Sequence, residues 1–152
     1  MAVVDSFSPE VVRALTASGW EPGRHVDVEP WDRVLRSEGY HLSELVRDLL
    51  ESLGGLRVHP VGQGEYRAAL LFEPELAGSG AYDIAEELED MFHQRFYPVA
   101  EWISNSCVFV GERGQVASYD DIEMLDLGNT VNDAVELIVV CSRPPRVIRS
   151  VH

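Results

Sequence analysis

The chain has 152 residues, is 45% hydrophobic and carries a formal net charge of −14, enough length for a single domain over residues 1–152 that buries about 68–70% of its unfolded surface without a disulfide or a metal. So acidic a balance excludes nucleic acid and anionic membranes as partners, since both need a basic footprint, and it suits a basic protein. All 12 basic residues are arginine, no basic-then-apolar stretch opens the chain, and no apolar run nears ~18 residues, so a cytoplasmic location is expected.

The first helix is expected over Pro9–Ser18, with Ser8 as N-cap and Val11, Val12 and Leu15 on its apolar face. Gly19-Trp20-Glu21-Pro22-Gly23-Arg24 then punctuates the chain. Gly19 suits the left-handed residue past a helix end, Trp20 folds back towards Leu15, and Pro22-Gly23 fill the centre of a type II turn. A second helix is predicted from Pro30 to Glu38 around Trp31, Val34 and Leu35. Its ending, Leu35 to Gly39-Tyr40, repeats Leu15 to Gly19-Trp20. The third has the cleanest period, Leu42, Leu45, Val46, Leu49, Leu50 and Leu53, and Gly54-Gly55 stops it.

Beyond this point the pattern changes to short runs bounded by glycine. Strands are expected at Leu56–His59 and Tyr66–Phe72, with Ala68–Phe72 buried on both faces. A Pro/Gly-rich loop follows, then a helix over Ala81–Phe92 with Ile84, Ala85, Leu88, Met91 and Phe92 facing inwards. Phe96-Tyr97-Pro98 is expected as a break. Cys107–Val110 and Gln115–Tyr119 read as a hairpin across Glu112-Arg113-Gly114, and Thr130 caps a helix reaching Val140. The tail from about residue 143 is either an edge strand or disordered. The class is α+β: N-terminal helices, then a mixed, mostly antiparallel sheet with one or two packed helices.

Known chemical motifs are absent: there is no phosphate loop, GxGxxG, HExxH, GxSxG or CxxC. Cys107 and Cys141 lie in apolar runs and read as buried free thiols. His25, His41, His59, His93 and His152 are scattered and read as surface or half-buried residues. Asp120-Asp121-Ile122-Glu123-Met124-Leu125-Asp126 is the best candidate for a hard cation, but it lacks an EF-hand's alternating ligands and central glycine and reads as a solvated acidic loop. No catalytic group, cofactor or metal is therefore expected.

Charge is unevenly placed. Ala68 to Gln94 holds seven acids (Glu73, Glu75, Asp83, Glu86, Glu87, Glu89, Asp90) and no base; Gly114 to Ser142 holds six more (Asp120, Asp121, Glu123, Asp126, Asp133, Glu136), again with no base. The tail, by contrast, has Arg143, Arg146 and Arg149 and no acid. One reading of the acids is a solvated face. The other is a patch of Glu73, Glu75, Asp83, Glu86, Glu87, Asp90, Asp120, Asp121 and Glu123 that steers a basic partner, with Tyr82 and Trp102 as aromatic anchors or, alternatively, as core.

Several of these blocks together resemble a family, the immunity proteins of the SUKH superfamily and specifically its third branch. The resemblance lies in Gly19-Trp20-x-Pro22-Gly23-Arg24-x-Val26-Asp27, Pro30-Trp31 leading to Leu35 and Gly39-Tyr40, and Leu53-Gly54-Gly55-Leu56. It continues through Phe96-Tyr97-Pro98-Val99 and through Val108-Phe109-Val110 with Gly114-Gln115-Val116, covering Leu15 to about Ile138. Gly111 departs from it, where an acid opening the turn is expected. The resemblance implies an α+β protein that binds a cognate bacterial polymorphic toxin, of nuclease or deaminase type, by occlusion and without catalysis. Gly19, Trp20, Pro22, Gly23, Trp31, Gly39, Gly54 and Gly55 are then fold positions, and a monomer is expected. The alternatives are a scaffold of the same fold with a non-toxin partner and, behind it, a small enzyme or metal protein.

Overall fold

The computed structural model describes residues 3–150. Three helices come first: α1 (Pro9–Ala17), α2 (Glu29–Ser37) and α3 (Glu44–Leu53). Ser8 caps α1, its Oγ accepting from the Val11 amide at 3.3 Å and donating to Glu136 at 2.9 Å. Ser43 caps α3 in the same way, accepting from the Val46 amide at 3.3 Å. Both expected helix endings form: the Trp20 amide donates to Leu15 O at 3.0 Å and the Tyr40 amide to Leu35 O at 3.3 Å. Gly19 and Gly39 adopt φ of +108° and +114° there, which only glycine takes without strain.

The turn after α1 closes through the Arg24 amide and Glu21 O at 3.2 Å. Its arginine has a role that the sequence reading missed. The guanidinium donates to Ser52 O at 2.9 Å and to Gly54 O at 2.7 Å, satisfying carbonyls that a helix C-terminus leaves without partners. Gly54 lies under Trp31, where a Cβ would come within 2.6 Å of the ring. Two distant sequence blocks thus make one corner of the fold. Trp20 beside it is only half-buried, so it borders the core instead of filling it.

The rest of the chain builds a seven-stranded sheet in sequential order: β1 (Arg57–Val58), β2 (Leu70–Leu71), β3 (Phe96–Glu101), β4 (Cys107–Gly111), β5 (Val116–Tyr119), β6 (Glu123–Gly128) and β7 (Arg146–Ser150). The α+β class holds, and every neighbouring pair is antiparallel, so the sheet is not mixed. Inserted helices are α4 (Pro74–Gly78) and α5 (Tyr82–Phe92) between β2 and β3, and α6 (Val131–Val140) between β6 and β7. That is one helix more than expected.

Strand alternation decides which helix covers which face. Val108, Val110 and Val116 gather with Leu49 of α3 and Val131, Ala134, Val135 and Ile138 of α6. Cys107 and Tyr119, a cross-strand pair on the opposite face, meet Ile84 of α5. Helices therefore lie on both sides of the sheet. The buried residues of helices and sheet form one cluster, in which Leu35, Leu53, Leu88, Phe109 and Leu127 are fully enclosed.

Several sequence expectations need correction. Leu56–His59 and Tyr66–Phe72 shrink to two-residue strands, and Leu71 stays half-exposed. The Pro/Gly-rich stretch contains α4, which starts on Pro74 where a missing N–H costs nothing. Phe96-Tyr97-Pro98 is not a break but the start of β3. Proline is tolerated because β2 reaches β3 only at Leu71–Glu101 and a bulge follows Pro98. α4 lies against that stretch, and a Cβ on Gly78 would collide with the Pro98 ring.

The Asp120–Asp126 run is a loop only in its first half. Asp120 Oδ1 accepts from the Ile122 and Glu123 amides at 3.0 and 2.8 Å and turns the chain into β6. The tail resolves as an edge strand, β7; residues 151 and 152, His152 included, lie outside the described residues. Met91 is exposed, not inward. Gly111 is where Gln94 crosses the β4–β5 turn, its Oε1 accepting from the Arg113 amide at 2.9 Å, and a Cβ there would collide with it. Cys107 is buried as expected, and burial first, then the Glu101 carboxylate, pushes its thiol well up. Cys141 is only half-buried, at the left-handed end of α6.

Candidate functional site

The acidic residues sort by element. Asp83, Glu86, Glu87 and Asp90 recur at i, i+3, i+4 and i+7 along α5, which lines them up on one side of the helix. Ile84, Ala85 and Leu88 are buried on the other. Because α5 lies on the Cys107–Tyr119 face of the sheet, its first turn sits beside the β5–β6 turn. There Asp83, Asp120 and Asp121 surround one surface depression of about 380 Å³, lined also by Ala77, Tyr119 and Asn105. Two segments well apart in sequence thus converge as a patch. Ile122, next to Asp121 in the chain, is an apolar side chain left 59% exposed.

The convergence is not complete. Glu123 begins β6, and by strand alternation it points to the α3–α6 face, since its neighbour Met124 pairs with Tyr119. Its charge bears instead on Tyr66, whose phenol is raised by desolvation first and by Glu123 second. Glu73 and Glu75 are half-buried at the start of α4, where carboxylates complement exposed helix amides. Trp102 is withdrawn as an anchor. It is 4% exposed and stacks on Tyr66 with centroids 6.4 Å apart, which makes it core.

Tyr82 sits at a second depression, of about 540 Å³, between the end of α2 and α5. Its ring packs over Gly39 and meets Tyr40 edge-on at 5.1 Å. Arg36, His41, Arg95, Glu86 and Glu89 line the same groove, so its charge is mixed. Behind it Tyr97 donates to the buried Asp32 at Oδ1, 2.9 Å away, and the exposed Arg36 pairs with Asp32 Oδ2 at 3.4 Å. Tyr40 meanwhile donates to Gly78 O at 2.8 Å. Burial pushes both phenols far up, and for Tyr97 the hydrogen bond to Asp32 adds to it.

The acidic segments are free of bases in sequence but not in space. β7 brings Arg149 to 2.7 Å from Glu87 and Arg146 to 2.6 Å from Asp126. The Arg149 guanidinium also lies over the Tyr119 ring, 5.9 Å from its centroid. Arg149 and Tyr119 are the residues of the patch that sequence reasoning left out; the signal for Arg149 was the acid-free tail itself. As a cation site the run fails physically, because Asp120 is spent on backbone amides and Asp126 on Arg146 and on Gln115 at 2.8 Å. Among the described residues no three His, Cys, Asp or Glu side chains converge on a metal-sized site, and no helix is long and apolar enough to cross a membrane.

The fold positions of the first sequence block lie at the α1, α2 and α3 ends, with Pro22 and Gly23 exposed in their turn. A family model described as SUKH-3 immunity protein matches residues 7–140, which takes in that corner, the sheet through β6 and all of α6. No curated protein and no solved structure matches the chain.

Proposed function

The chain belongs to the SUKH-3 immunity protein family, and from that premise we propose that it acts as a single cytoplasmic domain that neutralises a cognate polymorphic toxin by covering a basic surface on it. A toxin of nuclease or deaminase type fits, because such an enzyme must present basic residues to its nucleic acid. The contact face is the side of α5 bearing Asp83, Glu86, Glu87 and Asp90, continued by Asp120 and Asp121. Tyr82 contributes from the neighbouring groove. Occlusion, not catalysis, does the work, and the protein acts as a monomer without a cofactor.

The observation that supports this face is the convergence of Asp83 with Asp120 and Asp121 around one depression. A focused field of one sign raises the association rate of a partner of the opposite sign and selects among partners. Co-expression with the toxin encoded beside this chain is the test. Cells carrying both should survive, and equal killing with and without this protein would sink the proposal.

A further inference from the structure

We propose that Glu87 and Tyr119 form a receptor for an arginine side chain of the toxin, which Arg149 of the chain's own edge strand occupies until the toxin arrives. The inference rests on the acidic-face reading above and narrows it to one contact. Three observations carry it. Glu87 and Tyr119 already hold a guanidinium: the carboxylate is 2.7 Å from Arg149 Nη1, and the ring lies 5.9 Å below its central carbon. A carboxylate beside an aromatic face matches the planar, delocalised cation of arginine better than the point charge of lysine.

The second observation concerns the carboxylate. Glu87 Oε2 is covered by Arg149 and makes the 2.7 Å ion-pair contact with it, yet has no hydrogen bond of good geometry, so its strongest directional bond is still unmade. A better-aligned guanidinium from the toxin supplies that bond in place of Arg149. Both side chains are still accessible, with 41% of Arg149 and 42% of Glu87 exposed, so the cation can swing out from its edge strand without moving the core. Finally, Tyr119 is shared between this cup and the depression lined by Asp83, Asp120 and Asp121. An arginine entering the cup brings its neighbours over three further carboxylates. The tail arginine shows which chemistry fits, and the −14 chain as a whole favours a basic donor.

The sign of one substitution separates this from a merely structural ion pair. Arg149→Ala removes the internal competitor, so a catalytically inactivated cognate toxin should bind about two- to fivefold tighter. Arg33→Ala, an equal charge change on the exposed face of α2, provides the baseline for long-range effects. Tyr119→Leu leaves β7 and its arginines in place and should weaken binding about three- to tenfold. If Arg149→Ala binds no tighter than Arg33→Ala, or if Tyr119→Leu keeps wild-type affinity, the receptor is refuted while the acidic-face reading stands. Failure of the wild-type chain to bind the toxin would overturn both.

Discussion

Arg24→Met is the sharpest probe of the corner that joins the two sequence blocks of the family. The substitution keeps most of the apolar stem and removes the guanidinium that donates to Ser52 O and Gly54 O at 2.9 and 2.7 Å. Each is a charge-assisted bond, of the kind that contributes about 1.5–3 kcal/mol in a protected site. Arg24 is half-buried, and the two bonds share one donor, so they do not add fully. A loss of about 2 kcal/mol is the working figure. For a chain of this length it corresponds to roughly 4–8 °C in Tm, and to about 1 M in the urea midpoint at an m-value near 2 kcal/mol/M. Arg24→Lys, which can reach one carbonyl but not hold both in a fork, should recover about half. The assay is equilibrium urea unfolding with toxin affinity measured in parallel. A midpoint unchanged within error would refute the capping role. A stable variant that no longer binds toxin would make this corner a contact surface.

Gly39→Ala should cost about 2 kcal/mol or more in thermal unfolding, because φ is +114° and the new Cβ would lie 2.9 Å from the Tyr82 ring; a loss below about 0.5 kcal/mol would mean that Tyr82 moves freely. The buried phenols set an alkaline limit. Tyr40 and Tyr97 both have a folded pKa raised above the unfolded value of 10.0, so their contribution to stability is complete below about pH 10 and is lost as pH rises above it. Absorbance titration should show these two ionising only as the protein unfolds, and their ionisation in the folded state would contradict that burial.

How much of this was legible in the sequence depended on whether a local rule and the fold agreed. Ser8, Gly19, Gly39 and Thr130 mark helix ends through their own side chains or backbone freedom, and all four do so in the structure. Pro98 misled because its exemption comes from elsewhere: only the shortness of β2 and the bulge make a proline harmless in β3. Asp120, Asp121, Glu123 and Asp126 hid β6 because their charges outweighed the buried Met124, Leu125 and Leu127 among them. Membership of the acidic patch was legible for α5, where helical spacing alone aligns the carboxylates. It was not legible for Glu123, which one step of strand alternation sends to the opposite face. Nor was it legible for Arg149, which reaches Glu87 only because β7 folds back along β6.

The proposed contact for the toxin is the carboxylate stripe of α5. The most direct measurement is the association rate of purified cognate toxin with wild-type protein and with the variant Glu86→Lys, Glu87→Lys, Asp90→Lys, at low and at high salt. Steering by that stripe predicts a rate for the variant lower by about tenfold or more at ~0.02 M ionic strength, and a gap that mostly closes by ~0.5 M as screening shortens the field. Equal association rates for the two proteins at low salt would contradict the account and move the contact surface elsewhere on the molecule.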